Sequence, residues 1–339
     1  MASSNLTIDQ IADIAGVSRT TVSRVLNNRP DVNRATRQRV LSLIEEHNYH
    51  PNAFAKAISS QKSHNVGLVI PYEADYIFLN PFFVEVLRGI STTMDRQEYS
   101  LLVSYAHGED PAASFRRKKV DGFIVLSPGS LHHGLIESMQ EVGAPFVSTS
   151  RLADQVNMTY VDVDNRAGGR LAAEHLLALG HRRIVYVGKP SLTSSHDRLQ
   201  GVRDAFESRQ LALADELIME ATGSTERHGY EAAELLLTRI SEPTAIFLAN
   251  DMMAIGAIKS LAEHGLRVPE DLSIIGFDDV PMAQYCAPPL TTVRQPAFEK
   301  GALAAQMLIE CLEGEECVPQ SRTLPVELIV RNSTARARA

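Results

Sequence analysis

Along the first fifty residues the apolar positions recur with a helical period. Ile8, Ile11, Ala12 and Ala15 fall at i, i+3, i+4 and i+7, one stripe of a short helix. Thr7 and Gln10 precede that stripe at the S/T-x-x-Q spacing, in which hydroxyl and amide satisfy first-turn N–H groups reciprocally, so the helix opens there and stops at Gly16. Ser18 can then cap a second helix with Val22, Val25 and Leu26 pointing inward and Arg19, Thr20, Ser23, Arg24 and Asn27 on the opposite side. After a break at Asn28 to Pro30, Asn33 caps a third helix that packs through Val40, Leu43 and Ile44. Two short helices joined by a tight glycine turn, with a third closing the core, make a helix-turn-helix. The outer face of its second helix carries what reading a major groove requires: arginine for guanine, hydroxyls for base edges or phosphates, asparagine for adenine.

From Asn65 the pattern changes to short apolar runs, VGLVI, SLLVS, GFIVLS, APFVST, RRIVYVG, AIFLAN and LSIIGF, separated by helical segments such as Phe82 to Arg96, Arg166 to Ala178, Asp197 to Ser208, Arg227 to Thr238 and Met252 to His264. Strands that are apolar throughout are covered on both faces, so the sheets are parallel and the class is doubly wound α/β. The segment is too long for one such sheet, which predicts two subdomains with a ligand crevice between them at the carboxyl ends of the strands. Arg198, Asn250, Asp278 and Gln295 fall at strand ends, helix starts or a crossover on that face. A fixed cation and a carboxylate, each able to hold neighbouring hydroxyls, suit a sugar, whose apolar face Phe82 and Phe83 can cover.

Composition narrows the classes. The chain has 339 residues, 44% hydrophobic and 22% charged, which excludes a disordered protein. It contains neither an apolar run of membrane-spanning length nor a secretory leader, so a cytoplasmic location is expected. The net charge of -8 is uneven: residues 1–60 carry seven Lys/Arg against five acids, so the basic excess sits on the head and the acidic excess on the body. Cys286, Cys311 and Cys317 form no C-x-x-C pair and are expected to be reduced. His132 and His133 adjoin without a third ligand at metal spacing and read as loop surface. Gly168 and Gly169 belong to no phosphate loop, and neither G-x-S-x-G nor H-E-x-x-H occurs. No cofactor, metal or catalytic residue is expected.

The stretch IADIAGVSRTTVSRVLNNRPDVNRATRQRVLSLIEEHNYHPNAFAKAI closely resembles the head of the LacI/GalR family of bacterial transcriptional regulators. The resemblance continues through EHLLALGHRRIVYVG, DRLQG at 197–201, FLANDMMAIGAI, GLRVPEDLSIIGFDD and PPLTTVRQP, segments similar to a regulatory core of periplasmic-binding-protein type. It implies a DNA-binding head at 1–50, a hinge helix and linker at 51–65, and an effector-binding, dimerising core at 66–332. That core divides into an N-subdomain (66–161 plus 294–321) and a C-subdomain (162–293 plus 322–332), followed by a tail at 333–339. It further implies that Arg19 and Thr20 read bases, that Ser23 and Arg24 are shared recognition contacts, and that Thr7, Ser18, Asn27, Asn33, Thr36 and Tyr49 position the DNA backbone. Asn52, Ala55 and Ile58 belong to the hinge helix, with Ile58 wedged in the minor groove where the family usually has leucine; a β-branched wedge is stiffer. In the crevice it assigns Arg198, Asn250, Asp278 and Gln295 to the effector, with Ser194 and Arg151 at further pocket positions.

The expectation is therefore a homodimeric, effector-controlled regulator of a pseudo-palindromic operator, a repressor of carbohydrate-utilisation genes. N-P-F-F with E-V-L-R-G-I and D-R-L-Q-G resembles members that respond to disaccharides or maltodextrins. Two other classes compete: a sugar-acting kinase or dehydrogenase with a fused DNA-binding head, against which the missing phosphate loops count, and a transport binding protein, which needs a leader and no head.

Overall fold

The structure, a computed structural model, describes residues 6–26, 29–49, 62–71, 74–105, 110–126, 133–152, 158–240, 242–314 and 319–338. They belong to two units, Met1–Ser63 and His64–Ala339.

In the first unit, helices α1 (Ile8–Ala15), α2 (Arg19–Leu26) and α3 (Arg34–Glu46) bury Ile11, Ala12, Ala15, Val22, Val25, Val40 and Tyr49 as one core. The polar caps form as the spacing predicts. The Gln10 N–H donates to Thr7 Oγ1 at 3.3 Å and the Thr7 N–H to Gln10 Oε1 at 2.8 Å. The Thr21 N–H donates to Ser18 Oγ at 3.2 Å, and the Thr36 N–H to Asn33 Oδ1 at 2.8 Å. Gly16 takes φ 62, the left-handed turn that lets α2 start after only three intervening residues. Asn27, Asn52, Ala55 and Ile58 lie outside the described residues.

The second unit holds two six-stranded sheets, ordered β11-β5-β4-β3-β1-β2 and β12-β10-β9-β8-β6-β7. The first contains β1 (Asn65–Ile70), β2 (Ser100–Tyr105), β3 (Gly122–Val125), β4 (Phe146–Ser148), β5 (Tyr160–Val163) and β11 (Ser321–Leu324). The second contains β6 (Ile184–Gly188), β7 (Ile218–Glu220), β8 (Ala245–Leu248), β9 (Ser273–Asp278), β10 (Thr291–Arg294) and β12 (Glu327–Ile329). Every described pairing is parallel except β10 with β12, which is antiparallel and corrects the expectation of wholly parallel sheets. β12 reaches the second sheet directly from β11 of the first, with only Pro325 and Val326 between them and no helix to return the chain to the parallel sense.

Between strands lie α4 (Ala74–Leu79), α5 (Pro81–Arg96), α6 (Pro111–Arg116), α7 (His133–Glu141), α8 (Asn165–Ala178), α9 (Thr193–Glu207), α10 (Glu226–Arg239), α11 (Asp251–Glu263) and α12 (Ala297–Leu312). His133 thus opens a helix instead of lying in a loop. The chain passes between the sheets after β5, after β10 and between β11 and β12, each time slightly further along than the subdomain boundaries read from the sequence. Residues 333–338, read as a tail, are tied down: Ser333 Oγ donates to the Ile274 carbonyl at 2.6 Å, the Ala337 N–H to the Leu179 carbonyl at 2.9 Å, and Arg338 meets Asp271 at 2.6 Å. Cys286 is a free thiol, whereas Cys311 is disulfide-bonded. That corrects the expectation of reduced cysteines; a missing C-x-x-C excludes one spacing only, and the fold decides which thiols meet.

Gly169 and Gly201, absent from any phosphate loop, have a packing role. A Cβ on Gly169 would collide with the Arg198 backbone carbonyl, and one on Gly201 with that of Arg166. Only glycine lets α8 and α9 approach so closely, and this approach fixes the height of Arg198 over the crevice.

Candidate functional site

On the head, α2 buries Val22 and Val25 and leaves Ser18, Arg19, Thr20 and Arg24 exposed, with Ser23 half-buried beside them. Arg19 lies 3.8 Å from Asp9 and Arg24 3.3 Å from Asp31, both pairs with more than half of each side chain in solvent. Such exposed pairs hold little energy, so both guanidinium groups can be redirected to a polyanion at small expense. Thr7 and Asn33 stand exposed at helix starts, and Thr36 is half-buried at the start of α3. Tyr49, expected at the DNA backbone, is buried in the head's core, and burial raises its phenol pKa.

In the second unit, Phe82, Phe83, Arg151, Ser194, Arg198, Asn250, Asp278 and Gln295 line one cavity, together with Asn80, Ser150, Asp162, Lys189, Thr193, Ser195 and Lys300. The reason is topological: β4, β5, β6, β8 and β9 all end toward it, and α5, α9 and α11 all begin there. Asn80 caps α5 through the Phe82 N–H at 3.0 Å, which turns Phe82 and Phe83 inward. The two rings meet edge to face, 5.2 Å apart, and belong both to the core and to the cavity wall.

Arg198 is 7% exposed. Its Nε donates to Asn165 Oδ1 at 2.9 Å, its Nη1 to the Ala249 carbonyl, and its guanidinium lies 3.5 Å from the centre of the Phe277 ring. Among the described residues no carboxylate reaches it at salt-bridge distance. Asn250 is held at both ends of its amide: its Oδ1 accepts the Met253 N–H at 2.8 Å and its Nδ2 donates to the Ser224 carbonyl at 2.9 Å, so it fixes the opening of α11. Arg151 reaches from the end of β4 to Asp197 on α9 at 2.7 Å, an ion pair between elements of different sheets.

Beneath these residues lies a buried ion pair that sequence reasoning missed. Lys300 Nζ on α12 is 3.0 Å from Asp162 Oδ1 on β5, with the side chains 5% and 9% exposed. Asp162 also accepts the Arg151 N–H at 2.9 Å, the Val163 N–H at 2.8 Å and the Asn165 amide at 3.3 Å. A signal was present in the sequence: Ala297, Gly301, Ala304, Ala305 and Leu308 form the inward stripe of α12, and Lys300 falls on it.

Asp278, at the end of β9, adopts φ 122, a backbone region that favours glycine, held by the Gln295 Nε2 donor at 2.5 Å. Behind it Asp251 is fully buried; burial and the Asp278 charge drive its carboxyl well up, although the Thr292 hydroxyl and the Val280 N–H donate to it. Burial likewise lifts Asp278 to about 6, against the opposing pull of Arg198, Gln295 and Lys300. Between the ordinary value of 3.8 and about 6 the folded protein therefore binds more protons than the unfolded chain. Stability from this group is fully present below that window and is lost as pH rises through it. Asp278→Asn is thus expected to raise the melting temperature at about pH 7.5 and to flatten its pH slope between about 4 and 6. Circular-dichroism melts across pH check this, and a variant no more stable than wild type at the higher pH refutes it.

A sequence model of bacterial regulatory proteins of the lacI family matches residues 7–52, and a model of the periplasmic binding protein-like domain matches 173–334. The chain is also 37% identical to the HTH-type transcriptional regulator DegA of Bacillus subtilis (strain 168), over 97% of this chain and 98% of the relative. The chain belongs to the lacI family of bacterial regulatory proteins. It is accordingly a DNA-binding transcriptional regulator, with the helical head and two α/β lobes of that family. Among solved structures, a complex of the transcriptional regulator CelR with cellobiose superposes with a TM-score of 0.76 at 31% identity, covering 97% of this chain and 99% of the other. The lac repressor dimer bound to operator and the anti-inducer ONPF superposes with a TM-score of 0.83 at 27% identity, covering 98% and 100%.

Proposed function

We propose that this lacI-family chain is a cytoplasmic, homodimeric repressor of carbohydrate-utilisation genes that binds a pseudo-palindromic operator and is controlled by a small carbohydrate in the crevice. The expected size of that ligand is a disaccharide or maltodextrin. The observation that carries this reading is the convergence of Arg198, Asp278 and Gln295, with two phenylalanine rings beside them, on one cavity of a protein whose head displays Arg19, Thr20 and Arg24 on an exposed helix face. Likeness to a regulator complexed with cellobiose and to a repressor dimer on its operator supports the two halves of the reading.

Dimerisation is supported by apolar side chains in solvent: Phe78, Leu79 and Val84 on α4 and α5, Leu102 and Val103 on the edge strand β2, and Met282 and Tyr285 after β9. The protein works by population shift and without turnover: ligand favours one arrangement of the two lobes, and that arrangement sets the affinity of the paired heads for DNA. Arg19 and Thr20 choose the bases while other contacts set register. Exchanging Arg19 and Thr20 for other residues is therefore expected to alter the selected half-site, whereas Arg39→Ala leaves it unchanged. Binding selection from random duplexes tests this, and an unaltered half-site after the exchange overturns the assignment.

A further inference from the structure

The cations around the crevice are unequally neutralised. Arg151, Lys189, Arg198 and Lys300 line it, against Asp162 and Asp278. Arg151 is answered by Asp197 from α9, and Lys300 by Asp162, whose oxygens are already shared with three other donors. Arg198 rests on two neutral acceptors and a ring. Lys189 has no carboxylate within salt-bridge distance among the described residues.

Two further features share that wall. Helix α9 has fifteen residues, and Leu192 at its start supplies no side-chain cap, so the positive end of the helix faces the cavity through Thr193, Ser194 and Ser195. Gln295 is 5% exposed, and its Oε1 has no hydrogen-bond partner. A buried carbonyl oxygen of this kind calls for a donor such as a hydroxyl. An unanswered ammonium beside an uncapped helix start calls instead for an anion.

We infer that the ligand of the crevice is an anionic carbohydrate, its carboxylate or phosphate seated between Lys189 and the first turn of α9 and a hydroxyl donating to Gln295. This deepens the carbohydrate reading above and rests on it. A hydroxylated acid meets both demands at once, and an acidic disaccharide meets them at the expected size.

Calorimetry on the full-length protein with matched pairs tests the inference: cellobiose against cellobionate, galactose against galacturonate, and glucose against glucose 6-phosphate. In at least one pair the acid is expected to bind about tenfold tighter than its neutral partner, with a preference that shrinks at high salt. Lys189→Met is expected to reduce that ratio severalfold; Lys189 is half-buried and carries no structural ion pair, so the variant folds. The uronate and phosphate arms separate the two anion types. Neutral sugars binding as well as or better than their acids, or a ratio untouched by Lys189→Met, overturns the anion assignment and leaves the carbohydrate reading standing. If no sugar binds while the protein still retains operator DNA, the carbohydrate reading falls and takes this inference with it.

Discussion

Lys300→Met is expected to destabilise the second unit by about 3 to 5 kcal/mol, because it strands a carboxylate that is 9% exposed without its countercharge. Three other donors remain on Asp162, but they are neutral and cannot replace an ammonium at 3.0 Å. Removing both charges is a different experiment. Lys300→Met with Asp162→Val replaces a desolvated pair by apolar groups, and the double variant should recover most of the loss. Urea denaturation of the three variants measures the coupling. Equal stability of wild type and Lys300→Met would show that the pair contributes nothing.

Arg198→Ala is expected to weaken the tightest ligand of the sugar panel by roughly a hundredfold, equivalent to about 2 to 3 kcal/mol, while Asp278→Ala weakens it far less. The asymmetry follows from charge: an anionic ligand loses a cation in the first variant and is relieved of a repelling neighbour in the second. A neutral sugar clasped by both residues would suffer similar losses from each. DNA binding without ligand should survive in both variants, since Arg198 and Asp278 lie in the second unit and the DNA-reading helix in the first. Calorimetry on the two variants decides the matter, and full affinity in Arg198→Ala would place the ligand elsewhere.

What the sequence disclosed tracks how local each determinant is. The head was legible because Thr7, Gln10, Gly16, Ser18 and Asn33 act within a few residues of themselves, and each cap appears where its spacing places it. The start of α9 was misread at Asp197 instead of Thr193 because Leu192 offers no capping side chain to mark it. The short strands β5, β7, β10 and β11 do not stand out as apolar runs; three- and four-residue strands carry too few positions for a period to register. In the crevice, the residues quoted within family motifs were found together. Asp162 and Lys300 were not, because the partners stand 138 positions apart and only the tertiary fold brings them within reach.

The three passages of the chain between the sheets have a mechanical meaning. A single tether would let the lobes swivel about every axis, and two would still allow free rotation about the line joining them. Three separate tethers leave a shallow bending motion, so force applied in the crevice is delivered as a turn of one lobe against the other and is not dissipated as twist. Asp162 sits one residue before the first tether leaves its sheet and Gln295 one residue after the second does. Under the proposed reading, a small molecule held by the groups near these two residues would act at the pivot between the lobes, where a small displacement is magnified at their far edge.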